Sequence, residues 1–339
     1  MKDLDYIAAM GPPGGGRNPI TPRIYALFNV VNLTDPDSAC LHGILNAILA
    51  ARFEPFLDDV KSAVTKIPQA LLAVFKEVVV SLPPTPTKFH YIFNLRDLSR
   101  VVEGCCLATT DKCGTQAAVA RLFRNECTRV FCDRLATDAD VAFVGGKISD
   151  AVAGAFGGSA AAEANADPMM FGDFRCAKAR LAEDREDPRL YEDLGGYDDV
   201  KKVFDDVLDI YNGESAKKIM LVLFEMALEH ITRIMRIIRM PRGNALLIGV
   251  GGSGKQSNVL LASYCAGYRV FTVQLTRGYN EPMFKEDLKS LFSDLASLPT
   301  TFLFTDAHVV EEGFLESINN ILNTGAVPAL FEKEEMTAS

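Results

Sequence analysis

Apolar residues change period along this chain, and the changes divide it. Residues 4–10, LDYIAAM, read as a buried strand, followed at once by the turn-forming GPPGGGRNP. ITPRIYALFNVVNL (20–33) predicts a short helix or loop and then a second apolar run, FNVVNL. From Asp35 to about Leu135 the spacing becomes three and four, as in amphipathic helices. Asp37 and Ser38 can cap a helix over LHGILNAILAARF, and ALLAVFKEVVVSL runs into the stop Pro83-Pro84. NLRDLSRVVEG and QAAVARLFRNECTRVFCDRL repeat the helical spacing. An all-helical subdomain thus follows what reads as the end of a sheet. A domain seldom starts in a central strand, so the chain is expected to be a piece of something larger.

Residues 137–172 are rich in Ala, Gly and Ser, and this composition predicts a linker or a poorly packed insertion. A second unit begins near Asp187 with a loop and a helix over YDDVKKVFDDVLDIYNG. A long helix is expected from about Ser215 to Arg239, its stripe supplied by Leu221, Leu223, Phe224, Leu228, Ile231, Ile234, Ile237 and Ile238. NALLIGV then reads as a strand buried on both faces. GVGGSGKQS, the helix NVLLASYCAG and the strand YRVFTVQL complete a βαβ unit. A further helix, PMFKEDLKSLFSDLASL, leads to the strand TTFLFTDA. The fold class is therefore α/β, with a parallel sheet preceded by helices.

Composition narrows the function. With 48% hydrophobic and 23% charged residues the 339-residue chain is globular, and a net charge of -9 argues against a nucleic-acid surface. No run approaches the roughly 18 apolar residues of a membrane helix. The eight cysteines show no CxxC pair and no zinc spacing, which reads as reduced thiols in a cytosolic compartment.

Any anion site must then be local, and Gly249-x-x-x-x-Gly254-Lys255 supplies one. The glycines of Gly249, Val250, Gly251, Gly252, Ser253, Gly254 let the backbone curl so that its N–H groups face phosphate oxygens. Lys255 reaches the terminal phosphates, and the following helix adds its dipole. Gln256 stands where a serine or threonine hydroxyl usually meets magnesium, and Ser257, about 100° further round the helix, replaces it imperfectly. Asp306 ends the strand TTFLFTD. Alone it reads as a helix cap, but after a phosphate loop, a helix and a strand it reads as a magnesium partner, direct or through water. The next residue is Ala307, not the Glu that orients water in hydrolysing proteins.

RGNALLIGVGGSGKQS, AGYRVFTVQLTRGYN, FLFTDAHVVEEGFLESINNILNTGAVPALFE, AAMGPPGGGRNPITPR and IFNLRDLSRVV together resemble dynein heavy chains, and within them the axonemal branch. The resemblance covers most of the chain outside 137–172. It implies that residues 1–34 are the last strands of the third AAA+ module of a motor ring and that 35–136 are its helical lid. Residues 137–186 then link to 187–339, the front of the fourth module with its P-loop; neither module is complete. Residues Gly249–Ser257 match the nucleotide loop, and Asp306 the metal-strand acid. Arg96 resembles a lid arginine that contacts nucleotide, with a surface arginine as the equal alternative. Arg23 lies where such modules present an arginine to a neighbour, although a salt bridge is the simpler reading.

The implied ligands are ATP or ADP with Mg2+. The implied partners are the other ring modules and dynein intermediate and light chains, with microtubules reached only through a stalk outside this chain, and neither nucleic acid nor membrane. The implied place is the cytoplasm and cytoskeleton of a ciliary or flagellar axoneme, and the implied role is regulatory nucleotide binding with little hydrolysis. A non-enzymatic structural segment is the alternative.

Overall fold

A computed structural model describes residues 5–11, 20–34, 36–183, 188–295 and 298–331. The turn expected over GPPGGGRNP lies, apart from Gly11, outside them. The described chain forms two compact units, Met1–Leu41 and His42–Ser339.

In the first unit a short helix, α1 (Pro22–Tyr25), forms where Pro22 opens a helix whose first N–H groups have no internal partner anyway. The strands expected in LDYIAAM and FNVVNL do not form. Tyr6, Ile7, Leu27, Val30, Val31 and Leu33 are exposed. A strand needs ladder bonds from a neighbour, and among the described residues no segment supplies them. Asp37 caps as expected, its Oδ1 accepting the Cys40 N–H at 2.7 Å at the start of α2 (Ser38–Arg52).

The second unit opens with a helical subdomain of α2, α3 (Asp58–Val64), α4 (Ile67–Ser81), α5 (Leu95–Cys105) and α6 (Gln116–Cys127). α6 runs into a π-turn, Thr128–Cys132. α5 starts at a reciprocal cap: Asn94 Oδ1 accepts the Arg96 N–H at 2.9 Å and Asp97 Oδ2 accepts the Asn94 N–H at 3.0 Å. Leu49, Phe53, Val60, Ile67, Leu71, Val78, Leu98, Val101 and Phe123 fill the core.

The alanine-rich stretch is not a linker over most of its length. It folds as α7 (Asp138–Phe156) and α8 (Gly158–Ala164), which pack on α4 and α6. Val144, Ile148, Val152 and Phe156 recur every fourth residue and are buried, a stripe hidden by the small residues around it. Each such side chain contributes about 1.5–3 kcal/mol on burial. That outweighs the roughly 0.5–1 kcal/mol lost at each of the helix glycines Gly145, Gly146 and Gly154. Thr137 caps α7. Arg121 closes α8 by donating to the carbonyls of Glu163, Ala166 and Pro168, and its partner carboxylate is Asp193.

Next come β1 (Phe171–Gly172), α9 (Ala177–Glu183), β2 (Glu192–Asp193), α10 (Tyr197–Glu214), α11 (Glu225–Arg239) and α12 (Lys255–Ala266). β1 and β2 pair antiparallel. The helix expected from Ser215 begins only at Glu225. The Asn212 side chain holds the backbone of Ile219 at both ends, accepting its N–H at 2.7 Å and donating to its carbonyl at 3.0 Å. The segment runs extended, with Ile219 and Leu223 buried and Met220 and Val222 exposed. The apolar stripe was thus a period-two pattern before Glu225 and a helical one after it.

β3 (Arg269–Phe271) and β4 (Thr300–Phe302) pair in parallel, Val270 opposite Thr301, and each is shorter than its apolar run. α13 (Glu281–Leu295) and α14 (Glu312–Thr324) accompany them. Phe284 stacks on Phe314 at 4.4 Å, with Phe302, Phe304 and Leu288 around the pair. NALLIGV is not the doubly buried strand expected. Leu247 joins the core of α10, α11 and α12, but Leu246 and Ile248 are 87% and 85% exposed. Among the described residues no strand pairs with it. Among the described residues the parallel sheet is therefore two strands, and the eight cysteines are free thiols.

Glu126 on α6 and Arg236 on α11 join the helical subdomain to the α/β part. Glu126 is 0% exposed and Arg236 9%. Glu126 also accepts from Asn125 Nδ2 and Tyr191 Oη, both at 2.8 Å. Burial opposes the Arg236 cation, yet Glu126 more than offsets it and the pKa rises. Glu126→Gln is expected to cost about 3–5 kcal/mol in urea denaturation because it strands a buried cation, whereas Glu126→Leu with Arg236→Met should recover most of the loss.

A second contact is titratable. Hydrogen bonding to Lys88, then Thr137 and Tyr91, holds the Asp140 carboxyl at about 2. Its stabilisation is present above the unfolded value near 4 and is lost as pH falls through about 2, so acid melts of Asp140→Asn should lack that component.

Candidate nucleotide-binding site

The loop between Leu247 and α12 is built on two left-handed glycines. Gly252 has φ 77° and Gly254 φ 74°, a conformation that costs an L-residue roughly 1–2 kcal/mol. Gly254 is the N-cap of α12, and the Asn258 N–H donates to its carbonyl at 2.8 Å. A Cβ on Gly254 would lie 3.6 Å from Leu221 Cδ1 and 3.8 Å from Asn258 Oδ1. Leu221 and the buried Asn258 therefore support the loop from below. Neither was expected there: Leu221 was hidden in the stripe read as helix, and Asn258 in an apolar run.

Lys255 lies back over the loop. Its Nζ donates to the carbonyls of Gly249 and Val250, each at 2.7 Å, and lies 3.4 Å from Ser253 Oγ. A Cβ on Gly249 would stand 3.3 Å from Ser253 Oγ and 3.9 Å from that Nζ. The space above the loop is thus kept open by glycine and faced by an ammonium and the start of a helix. This arrangement fits phosphate. Gly251, Gly252, Ser253 and Gln256 are exposed, and Ser257 is half-buried on the first turn.

The acid side is less complete. Asp306 is exposed and opens a short 3-10 turn, Asp306–His308, after β4. Ser263 on α12 bonds Thr301 on β4 at 3.1 Å, which sets the loop's helix beside the acid's strand. Among the described residues no hydrogen bond or ion pair joins Asp306 to Lys255, and no cluster of three His, Cys, Asp or Glu could hold a metal. His308 accepts the Thr305 N–H on Nδ1 at 3.0 Å, and burial lowers its pKa against the opposing pull of Asp306. That nitrogen is thus occupied. Ala307 offers no base.

Among the described residues no hydrogen bond or ion pair joins Arg96 to this loop. Arg96 is exposed on the first turn of α5, and among the described residues its side chain makes no ion pair. The Asp97 beside it is buried and bound by Arg134 at 2.6 Å and Arg100 at 3.3 Å. Arg23 is exposed on α1 in the first unit.

Helical subdomain, parallel pair and glycine loop together define an AAA+ protein, a lid followed by a P-loop nucleotide module. Family comparison agrees: a P-loop containing dynein motor region D4 matches residues 219–338, an AAA+ lid domain 67–156, and a P-loop containing dynein motor region 1–36. Dynein axonemal heavy chain 10 of Homo sapiens is 48% identical over 99% of this chain, which covers 7% of that protein. The dynein-1-alpha heavy chain of the flagellar inner arm I1 complex of Chlamydomonas reinhardtii is 45% identical, and human dynein axonemal heavy chain 6 is 41% identical, each over 99% of the chain and 7% and 8% of the relative. The chain belongs to the axonemal dynein heavy-chain family, and it spans less than a tenth of the length of these relatives. The lid match runs through α7, which agrees with that helix packing on α4 and α6.

Gly254→Ala tests the loop. It should lower stability by about 1–2 kcal/mol in thermal denaturation and weaken nucleotide binding more than Gly251→Ala, which meets no neighbour and has no positive φ.

Proposed function

We propose that this chain is a nucleotide-binding regulatory segment of an axonemal dynein heavy chain, contributing to ATP-driven, minus-end-directed movement along microtubules in cilia or flagella. The observation that carries the reading is Lys255 poised over a glycine loop at the start of α12. ATP or ADP is the ligand: the N–H groups of Gly249–Ser257 hold the phosphates, Lys255 neutralises the terminal ones, and the α12 dipole adds to both. Asp306 holds Mg2+, which when bound screens phosphate charge. Arg96 and Arg23 are proposed as nucleotide-sensing groups, Arg96 on the lid and Arg23 toward a neighbouring module.

Hydrolysis is proposed to be weak or absent. Gln256 presents an amide where a hydroxyl would meet the metal, and Ala307 stands where a glutamate would orient water. Binding without turnover suits a site whose occupancy alters how adjoining ring modules pack. The partners are those modules and the intermediate and light chains of the complex. Microtubules are reached through a stalk elsewhere in the heavy chain. The relatives' names place them in axonemes and flagella, and the same location is proposed here.

The same departures at Gln256 and Ala307 also suit a purely structural segment that only packs against its neighbours. Titrating a fluorescent ATP analogue separates the two readings. Wild type should bind and Lys255→Ala should bind at least tenfold more weakly, since a charge-assisted bond contributes about 1.5–3 kcal/mol. Equal binding by both favours the structural reading. Phosphate release should stay at background, and a magnesium-dependent rate abolished by Lys255→Ala would overturn the claim of poor hydrolysis.

A further inference from the structure

We propose that His308 is a positioning residue for Asp306, holding that acid at the end of β4 through a side-chain bond that takes the place of a strand partner. The inference rests on the proposed reading of Asp306 as the Mg2+ acid. A single carboxylate suits that ion, which is commonly held by one or two carboxylates together with substrate phosphates. The Asp306 carboxylate is exposed and, among the described residues, has neither a hydrogen bond nor an ion pair, so it is available for the role. No bond of its own side chain fixes it, and its place is set by the backbone of its turn.

β4 is anchored at its start. Ser263 on α12 is fully buried, and its Oγ lies 3.1 Å from Thr301 Oγ1. The ladder to β3 then runs as far as the Leu303 N–H, which donates to the Phe271 carbonyl at 2.9 Å. Donors that face one neighbouring strand come every second residue, so the next is the Thr305 N–H. Among the described residues no strand carbonyl meets it. His308 Nδ1 accepts it instead, at 3.0 Å, while the His308 N–H donates back to the Thr305 carbonyl at 2.9 Å. The two bonds close the turn with Asp306 inside it.

The imidazole is itself held by the aromatic core. Its ring centroid lies 5.5 Å from that of Phe304, which sits 5.8 Å from Phe302 and 6.0 Å from Phe284. His308 is half-buried, whereas Asp306 and Ala307 are exposed. The ring thereby ties a turn beyond the end of the ladder to a packed support. At α5 the same kind of cap is closed by Asp97, whose carboxylate accepts the Asn94 N–H at 3.0 Å. A carboxylate at 308 would set a second negative charge beside Asp306; an imidazole accepts the bond without one.

The test measures the affinity of the full chain for a fluorescent ATP analogue, once in excess Mg2+ and once in EDTA. The ratio isolates the acid side, because the glycine loop and Lys255 act in both. Binding of Mn2+ to the ADP-saturated chain, followed by loss of the free-ion paramagnetic resonance signal, is an independent readout. Asp306→Ala sets the scale by removing the Mg2+ gain. His308→Ala is expected to reduce that gain by about threefold to tenfold, the worth of one hydrogen bond, and to leave the EDTA affinity unchanged. His308→Gln, a residue type that closes such caps, should retain most of the gain. A full Mg2+ gain in His308→Ala overturns the proposal, as does an equal loss with and without Mg2+, which would make the ring merely structural. If Asp306→Ala keeps the gain, the reading of Asp306 fails and the proposal falls with it, whereas Lys255→Ala tests the loop alone.

Discussion

The most deeply buried ion pair at the junction of lid and nucleotide module is Glu126 with Arg236. Burying either charge alone costs several kcal/mol, so the pair favours arrangements that keep Glu126 on α6 beside Arg236 on α11. The surrounding residues are arranged to permit it. A Cβ on Gly104 would come within 1.7 Å of Glu126 Oε2, so only glycine leaves room for the carboxylate. Tyr191 and Asn125 complete its hydrogen bonds, and the same burial pushes the Tyr191 hydroxyl pKa well up. Because α11 also packs on α12, the lid and the phosphate loop share one support.

That support explains a contrast within the nucleotide module. α10, α11 and α12 bury a continuous apolar core, while the segment leading into the loop has only Leu247 in it. The loop's geometry is consequently set from its helix side, by the α12 cap, by Leu221 and Asn258 beneath Gly254, and by Lys255 folded over it. The acid side is held separately, through Ser263 to β4 and through the aromatic cluster of Phe284, Phe302, Phe304 and Phe314.

Legibility differed by element for physical reasons. α4, α5, α6, α10, α12 and α13 could be read directly because a cap, a stop or a 3.6-residue stripe marks each of them. The glycine loop and Lys255 were equally plain, since a phosphate cradle requires those residue types at that spacing. α7 was missed because its stripe of four large residues is diluted by alanine and glycine, and composition outweighed period. The start of α11 was missed because alternating apolar residues from Ile219 to Phe224 join smoothly onto a helical stripe. What separates them is Asn212, a side chain that reaches back from another element.

The sequence by itself determined the local chemistry: which stretches carry helix caps and apolar stripes, where the glycine loop and its lysine lie, and that Gln256 and Ala307 stand beside that pattern. These follow from short-range rules, a few residues deep. Only the tertiary structure decided which apolar runs become strands, since ladder bonds need a partner that no single run contains. It alone placed Leu221 beside Gly254 and brought Glu126 to Arg236, because each joins positions far apart in the chain.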